Sequence, residues 1–181
     1  SQYIAHDKNL KPILHIKKKT YKKHLILCIG ATFGPAKRWP AKYFAQVARY
    51  FLEKSWQVSL LGVMQEAKIA TEIQKLTDNH CQNLVGKTSL TQAIKILNTA
   101  EIVVSNDSGL MHIVAALNIP LVAIYGSSSP YFTPPLTNKV KIIYLNLDCS
   151  PCFKRTCPLK HFDCMFKIYP LTIINAIKHL I

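Results

Sequence analysis

The stretch from His24 to Val63, HLILCIGATFGPAKRWPAKYFAQVARYFLEKSWQVSLLGV, decides the fold class. It opens with an apolar, β-branched run, His24–Ala31, which predicts a buried strand. Ala41–Lys54 follows with apolar residues at helical spacing, and Pro40 suits a first helical turn, where no backbone N–H is needed. Gln57–Val63 then predicts a second strand. A strand, a helix and a strand in this order predict one unit of a parallel sheet.

The rest of the chain continues this alternation. Helices are predicted over residues 66–77 and 89–99. Further strands are predicted at Asn83–Gly86, Ile102–Ser105, Leu121–Tyr125 and Val140–Leu147. The pattern indicates an α/β fold with a doubly wound, Rossmann-like parallel sheet that helices cover on both faces. In such a sheet, ligands bind at the carboxyl ends of the strands.

Composition narrows the class of protein. The chain has 181 residues, of which 49% are hydrophobic and 18% are charged, and this apolar content excludes an intrinsically disordered chain. The longest nearly apolar stretch, Ile113–Tyr125, contains Asn118 and Pro120 and is shorter than the ~20 residues that a membrane-spanning helix needs. No apolar signal-peptide core precedes it near the start of the chain. We therefore expect a globular, cytoplasmic protein.

The charge balance indicates anionic partners. Lys and Arg number 23 against 9 Asp and Glu, which gives a net charge of +14. A chain with this positive charge attracts nucleic acid, acidic lipid and phosphorylated small molecules. Only three of the basic residues are Arg, which disfavours specific reading of DNA bases. Residues 1–23 hold seven of the lysines, so we expect a basic leader or interdomain linker there, with possible contact to an acidic membrane surface.

Three polar loops follow predicted strands. The first, Gly30–Pro40 (GATFGPAKRWP), matches neither G-x-x-x-x-G-K-[ST] nor G-x-G-x-x-G. It supplies Thr32 and Lys37 beside glycines, just ahead of a helix start whose dipole favours an anion. These residues indicate a diphosphate site, with a surface lysine beside a core Trp39 as the alternative.

The second loop, Ser105–His112 (SNDSGLMH), opens a helix directly after a strand. Asp107 and Ser108 are candidate helix caps, and Ser108 and His112 share one helix face. So many polar residues at a strand end favour a ligand site over ordinary capping. The third loop, Tyr125–Pro135 (YGSSSPYFTPP), is expected either to wall the same cleft or to form a rigid surface turn.

Three motifs, GATFGPAKRWPAKYFAQVA, SNDSGLMHIVAAL and AIYGSSSPYFTPPL, together resemble the bacterial ADP-heptose:lipopolysaccharide heptosyltransferases of glycosyltransferase family 9, the heptosyltransferase II group in particular. The resemblance covers residues 24–147. It implies a GT-B architecture, in which residues 24–181 correspond to the carboxyl-terminal, nucleotide-sugar-binding domain alone. The implied activity is inverting transfer of L-glycero-D-manno-heptose from ADP-heptose to the inner core of lipopolysaccharide, at the cytoplasmic face of the inner membrane.

The resemblance also implies roles for individual residues. Lys37 is expected to neutralise the donor diphosphate and Asp107 to hold the heptose, and these two are the candidate catalytic residues. Glu66 is expected at the ribose or adenine, and Thr88 near the nucleoside. The other implied donor-binding residues, on the diphosphate side, are Thr32, Ser108, Gly109 and His112. The catalytic base and the acceptor site are implied to lie in an amino-terminal domain, so we expect this chain alone to bind donor but to transfer little sugar.

Cofactor expectations rest on two features of the sequence. It contains no D-x-D motif, so transfer is expected to need no metal. A loop at residues 148–167, the cysteine loop, carries the spacing C-x2-C-x4-C-x6-C at Cys149, Cys152, Cys157 and Cys164, the four loop cysteines. In a cytosolic chain this density suggests a structural zinc or iron–sulfur cluster before a disulfide. Reduced thiols that simply order the loop are nevertheless favoured over either metal centre, and Cys28 and Cys81 are expected to be inert.

Two other functions stay open on the sequence alone. One is a GT-B glycosyltransferase with a different nucleotide-sugar donor, because the phosphate-side residues are shared while the base and sugar contacts vary. The other is a basic module for RNA or acidic lipid, based on the +14 charge and the cysteine loop. That module would bind polyanions without needing Asp107. No specific nucleic-acid partner is expected.

Overall fold

The computed structural model describes residues 12–14, 16–17 and 21–181, which form a six-stranded parallel sheet flanked by helices. The strands are β1 His24–Cys28, β2 Gln57–Leu61, β3 Gln82–Asn83, β4 Ile102–Asn106, β5 Leu121–Tyr125 and β6 Val140–Tyr144. The helices are α1 Ala41–Leu52, α2 Ala67–Leu76, α3 Leu90–Leu97, α4 Gly109–Ala116, α5 Asp163–Phe166 and α6 Pro170–Leu180. The predicted fold class, an α/β domain with a doubly wound parallel sheet, is confirmed.

The order of the strands creates a crevice in the middle of the sheet. The order is β3-β2-β1-β4-β5-β6, so the chain moves outward from β1 to β3 and then returns to the other side of β1. Cys28 pairs with Ser105, and β1 and β4 therefore end side by side. The loops that follow these two strands lead to helices on opposite faces, and the gap between them is where sheets of this topology bind ligands.

Two apolar layers explain why β1 is buried at every position. Leu25 and Leu27 face the layer that contains α1, α2 and α6, whereas Ile26 and Cys28 face the layer that contains α3 and α4. Alternate residues of a strand point to opposite faces, and here both faces are buried. The two layers include, respectively, Phe44, Ile73 and Ile177, and Leu97, Met111 and Val114.

Several elements depart from the sequence prediction. β3 has two residues, one position earlier than Asn83–Gly86, because Gly86 adopts a left-handed conformation (φ +71°) that an extended strand does not allow. β1, β2 and β6 end before their apolar runs do. Helix α6 was not predicted, although Pro170 at its first position and buried Ile173 and Ile177 are ordinary helix signals.

The predicted basic leader, residues 1–23, is described only at 12–14, 16–17 and 21–23, where it lies against α3 and α4. The Leu14 N–H donates to the Ala116 carbonyl (2.9 Å), and the Tyr21 N–H donates to the Thr99 carbonyl (2.9 Å). Asn98 Nδ2 donates to the Lys17 carbonyl (2.9 Å). Four of the leader lysines, Lys8, Lys11, Lys18 and Lys19, lie outside the described residues. Among the helices that the structure describes, none is long and apolar enough to cross a membrane.

Candidate functional site

Two charged side chains meet in the crevice between β1 and β4. Lys37 closes a single 3-10 turn, Pro35–Lys37, in the loop after β1, and Asp107 directly follows β4. Lys37 Nζ lies 2.6 Å from Asp107 Oδ2, and the side chains are 16% and 5% exposed. Ser128, in the loop after β5, donates its hydroxyl hydrogen to the same carboxylate oxygen (2.5 Å). The predicted catalytic pair is thus brought together, and Ser128 is a partner that sequence reasoning missed.

Asn106 fixes the loop that carries Lys37. Its Nδ2 donates to the Ile29 carbonyl (3.0 Å), and its Oδ1 accepts the Trp39 N–H (3.2 Å). Trp39 is itself buried, and its indole N–H donates to the Ile168 carbonyl (2.9 Å). One buried amide therefore joins the end of β4 to both ends of the loop. The signal available in the sequence was an amide side chain at the end of an apolar strand.

The amino-terminus of α4 lacks a side-chain cap. Ser108 occupies the N-cap position, as predicted, but its hydroxyl makes no capping hydrogen bond and lies 3.3 Å from Ser105 Oγ. The expected capping role of Asp107 is wrong, because its carboxylate is engaged by Lys37 and Ser128. The Met111 N–H donates to the Ser108 carbonyl (3.1 Å), so the Gly109 and Leu110 N–H groups are the ones available to an anion, which the helix dipole also favours.

A cavity of about 360 Å³ opens beside this helix start. It contains four of the predicted donor-binding residues: Thr32, Glu66, Ser108 and Gly109. The rest of its lining is Gly30, Gly62, Val63, Leu90, Leu110 and Ile113. Lys37 and Asp107 lie outside this lining, although Asp107 is adjacent in sequence to Ser108. Thr88 is half-buried between β3 and α3 and His112 is exposed on α4, and neither lines the cavity.

Glu66 is a buried carboxylate, 3% exposed, at the edge of this cavity. Its Oε2 accepts the Val63 N–H (2.7 Å). Burial raises the pKa of Glu66, while the Val63 N–H and the positive charge of Arg38 oppose that shift. A Cβ at Gly30 would lie 1.8 Å from Oε1, and one at Gly62 would lie 2.4 Å from Oε2. Both glycines therefore make room for the Glu66 carboxylate, a role that the sequence did not predict.

The mouth of the crevice is basic and aromatic. The Phe33 ring is 38% exposed, and Lys37 Nζ lies 4.8 Å from its centre. The Arg155 guanidinium lies 5.4 Å from the same ring centre. An aromatic ring attracts cations near its face through its quadrupole. The third loop reaches this mouth through Ser128 and is braced by Tyr125, whose hydroxyl donates to the Thr133 carbonyl (2.6 Å).

The four loop cysteines surround a second cavity, of about 210 Å³, and all are free thiols. Burial raises the pKa of Cys164 to about 11, and the other three loop cysteines add to that shift. Within residues 21–181, no three His, Cys, Asp or Glu side chains converge on a common metal position. Burial also raises the pKa of Cys28 to about 12, and raises that of Cys81, which keeps both thiols protonated.

The geometry suits a ligand with an anionic part and several hydroxyls. Lys37 and the uncapped start of α4 supply positive charge, while Asp107 and Glu66 supply carboxylate acceptors on either side of that helix start. Against this background, the chain matches the family model "Glycosyltransferase family 9 (heptosyltransferase)" over residues 2–163. The chain belongs to glycosyltransferase family 9.

Relatives in several bacteria are named as heptosyltransferase 2 enzymes. The lipopolysaccharide heptosyltransferase 2 of Escherichia coli strain K12 is 46% identical over 158 residues, which cover 85% of this chain and 45% of the relative. The lipooligosaccharide heptosyltransferase 2 of Campylobacter jejuni serotype O:6 (strain 81116) is 37% identical over 187 residues, with 97% and 59% covered. The chain thus spans about half the length of the curated relatives it matches.

Solved family 9 structures share the fold. The ADP-heptose lps heptosyltransferase II of E. coli superposes with a TM-score of 0.76 at 35% identity, covering 91% of this chain and 47% of that one. A family 9 glycosyl transferase from Veillonella parvula gives 0.77 at 25% identity, covering 87% and 45%. The resemblance to heptosyltransferases that the three motifs predict is therefore confirmed.

Proposed function

We propose that this chain is the carboxyl-terminal, donor-binding part of a GT-B heptosyltransferase. The whole enzyme would transfer L-glycero-D-manno-heptose from ADP-heptose to the inner core of lipopolysaccharide. The observation that carries the proposal is the Lys37–Asp107 pair in the central crevice, next to a cavity lined by Glu66 and the start of α4. Family membership supports the reaction class, and the names of the relatives support the sugar.

In this proposal the diphosphate binds between Lys37 and α4. The Lys37 ammonium neutralises it as a point charge, and the first-turn N–H groups at Gly109 donate to its oxygens. Thr32 is exposed in the cavity and adds a hydroxyl on the same side, as does Ser108. The resemblance assigns His112 to this side as well, although its side chain is exposed on α4 and does not line the cavity. Because the diphosphate competes with Asp107 for Lys37, donor binding is expected to loosen the ion pair.

The uncharged parts of the donor then contact the two carboxylates. Glu66, anchored through the Val63 N–H, keeps acceptor capacity for the ribose hydroxyls. The resemblance assigns Thr88 to the nucleoside, although Thr88 does not line the cavity. Asp107, once its oxygens are partly released by Lys37, accepts hydroxyl hydrogens of the heptose while Ser128 holds its orientation.

The chemistry requires a leaving group and a base. An acceptor hydroxyl attacks the anomeric carbon, the bond from that carbon to the diphosphate oxygen breaks with inversion, and ADP departs with the electron pair. Lys37 and the α4 amino-terminus stabilise the negative charge that develops on ADP. The absence of a D-x-D motif supports a route without a metal cofactor. The base that takes the hydroxyl proton is assigned to the acceptor domain, so residues 24–181 alone bind donor without efficient transfer.

The place of action follows from the substrate class and the charge. We assign the enzyme to the cytoplasmic face of the inner membrane, where an anionic lipopolysaccharide acceptor would be presented. The net charge of +14 supports peripheral contact with acidic lipid there. Vesicle sedimentation at low and moderate salt tests this contact, which salt should weaken.

Calorimetric titration of the chain with ADP, ADP-heptose and UDP tests donor binding. We expect selective binding of ADP and tighter binding of ADP-heptose. Lys37→Ala should weaken both adenine nucleotides by about tenfold or more, because it removes a charge-assisted contact. Asp107→Ala should mainly remove the extra affinity for the sugar. The exposed Lys42→Ala and Glu72→Ala variants are charge-matched controls and should change neither affinity.

Several results would contradict the proposal. Equal binding of ADP and UDP, unchanged by Lys37→Ala, would favour a GT-B enzyme with another donor. Salt-sensitive binding of polyanions that survives Asp107→Ala, without nucleotide binding, would favour the basic module. Efficient sugar transfer by the chain alone would refute the assignment of the base to another domain.

A further inference from the structure

We propose that the four loop cysteines bind one thiophilic divalent metal ion, and that this ion fixes the segments that support Lys37 and Asp107. The first half concerns the cysteine loop itself. The second half rests on the proposed donor site. Metal titration tests the first half, and ADP titration with and without metal tests the second.

The four thiols line one cavity, although they are spread over sixteen residues of chain. All four line the 210 Å³ cavity, together with His161. Cys149, Cys152 and Cys157 are half-buried, and Cys164 is 8% exposed. Two buried cysteines elsewhere in the described chain, Cys28 and Cys81, take no part in this cavity. Packing of an apolar core does not require four thiols of one loop to face a single space.

A second observation points to a missing occupant. Ser127 is fully buried and lines the same cavity, yet its hydroxyl has no hydrogen-bond partner among the described residues. A buried hydroxyl without a partner is costly. A metal–thiolate centre would supply sulfur acceptors for it. The Ser127 hydroxyl is thus expected to donate to a ligand sulfur, as groups around metal sites commonly do.

The thiols line the wall of the cavity without converging on one point. Four Zn–S bonds of about 2.3 Å require a tetrahedral arrangement. We therefore expect the ion to draw the side chains inward by rotation about their Cα–Cβ bonds. Each coordinating thiol loses its proton to solvent, and no electron is transferred. Four sulfur ligands favour Zn²⁺ over Mg²⁺ or Ca²⁺, which prefer oxygen.

The cysteine loop is attached to both segments that carry the donor-site pair. The Ala36 N–H, next to Lys37, donates to the Arg155 carbonyl (3.0 Å). The Phe153 N–H donates to the carbonyl of Ser127 (2.7 Å), whose neighbour Ser128 holds Asp107. Ala36 and Ser127 also line the cysteine cavity directly. A metal that orders the loop thus restrains Lys37 from one side and Asp107 from the other.

Metal titration of the reduced chain tests the site. Chelator-treated protein is titrated with Co²⁺ and then Zn²⁺. We expect one equivalent of Co²⁺ to give the visible spectrum of a tetrahedral thiolate complex, and Zn²⁺ to displace it. Cys157→Ser combined with Cys164→Ser should abolish the spectrum, whereas Cys81→Ser, a buried cysteine outside the loop, should leave it unchanged. Metal removal should lower the melting temperature by about 5 °C or more.

The first half of the proposal is overturned if the untreated or chelator-treated wild-type chain gives no cobalt spectrum and contains no stoichiometric metal. A disulfide within the loop of the freshly purified protein would overturn it as well. Retention of the spectrum by the double variant would overturn the ligand assignment. Whether the chain binds metal is decided by the wild-type titration alone, so the test does not depend on the folding of a cysteine variant.

ADP titration of the metal-loaded and metal-free wild-type chains tests the coupling. We expect about tenfold weaker binding without metal, because small displacements of positioned groups carry large costs. Metal binding with identical ADP affinities would overturn the coupling and leave the metal site standing. Metal binding with no ADP affinity in either form would instead refute the proposed donor function.

Discussion

Two buried carboxylates flank the same helix start, and the protein holds them in opposite ways. Asp107 is neutralised by an ammonium at 2.6 Å and steadied by a hydroxyl at 2.5 Å. Glu66 has one backbone N–H as its hydrogen-bond donor, and two glycines leave the space that it fills. The first carboxylate is paired with a lysine, whereas burial raises the pKa of the second. One side of the crevice is thus organised by charge and the other by shape.

Breaking the charged side should have the largest effect on stability. Asp107→Ala leaves the mostly buried Lys37 ammonium without its carboxylate and should lower the free energy of unfolding by about 3 kcal/mol, measured by urea denaturation. Adding Lys37→Met should recover a large part of that loss, since the unpaired charge disappears. Glu72→Ala, exposed on α2, should change stability by less than about 0.5 kcal/mol. A double variant no more stable than Asp107→Ala would show that the ion pair is not the cause.

Breaking the shape of the other side should cost somewhat less. Gly30→Ala places a methyl group on the Glu66 carboxylate and should destabilise by about 2 kcal/mol, as overpacking does. The same change in a Glu66→Ala background should cost much less, which a double-mutant cycle measures. Gly109→Ala meets open space and should be neutral or slightly stabilising. If Gly30→Ala cost the same in both backgrounds, the close contact between Gly30 and Glu66 would not be its cause.

Two adjacent serines sharpen the contrast at a smaller scale. Ser128→Ala removes a hydrogen bond to the Asp107 carboxylate and should cost about 1.5 kcal/mol. Ser127→Ala removes a hydroxyl that has no partner among the described residues and should be close to neutral in metal-free protein. Chemical denaturation of the two variants side by side checks the difference. Similar losses in both would mean that the contact with Asp107 contributes nothing.

The smallest effect is a pH dependence on the Glu66 side. Burial holds the pKa of Glu66 above its ordinary value of 4.5, so the folded protein binds this proton more tightly than the unfolded chain does. Stability from this group is therefore complete at low pH and is lost as the pH rises through the raised pKa. Glu66→Gln should remove that decline when unfolding is followed from pH 4 to pH 7. If the free energy of unfolding of the wild-type chain and of the variant varied with pH in parallel, the raised pKa of Glu66 would be contradicted.

The sequence was a good guide to elements and loops, and a poor guide to partners. The apolar run Leu121–Tyr125 predicted the bounds of β5 correctly, because an apolar run is a local property of the sequence. Lys37 and Asp107 were found through motifs at strand ends, and the crevice brings them together. The roles of Asn106, Ser128 and Gly62 were missed, since each depends on a contact far away in sequence. The capping role expected for Asp107 was wrong for the same reason: a distant lysine took its carboxylate.

The position of β4 beside β1 also has a consequence for how the protein folds. Lys37 and Asp107 are separated by 70 residues, and the amide of Asn106 reaches back 77 residues to Ile29. Closing a loop of this length costs entropy before any contact compensates for it, so the crevice forms only when these two strands have docked. Before that moment, Lys37 and the start of α4 belong to separate pieces of chain. Nucleotide binding is therefore expected only once these two strands have docked. Secondary-structure content can reach its final value before that step, so nucleotide affinity is the better measure of complete folding.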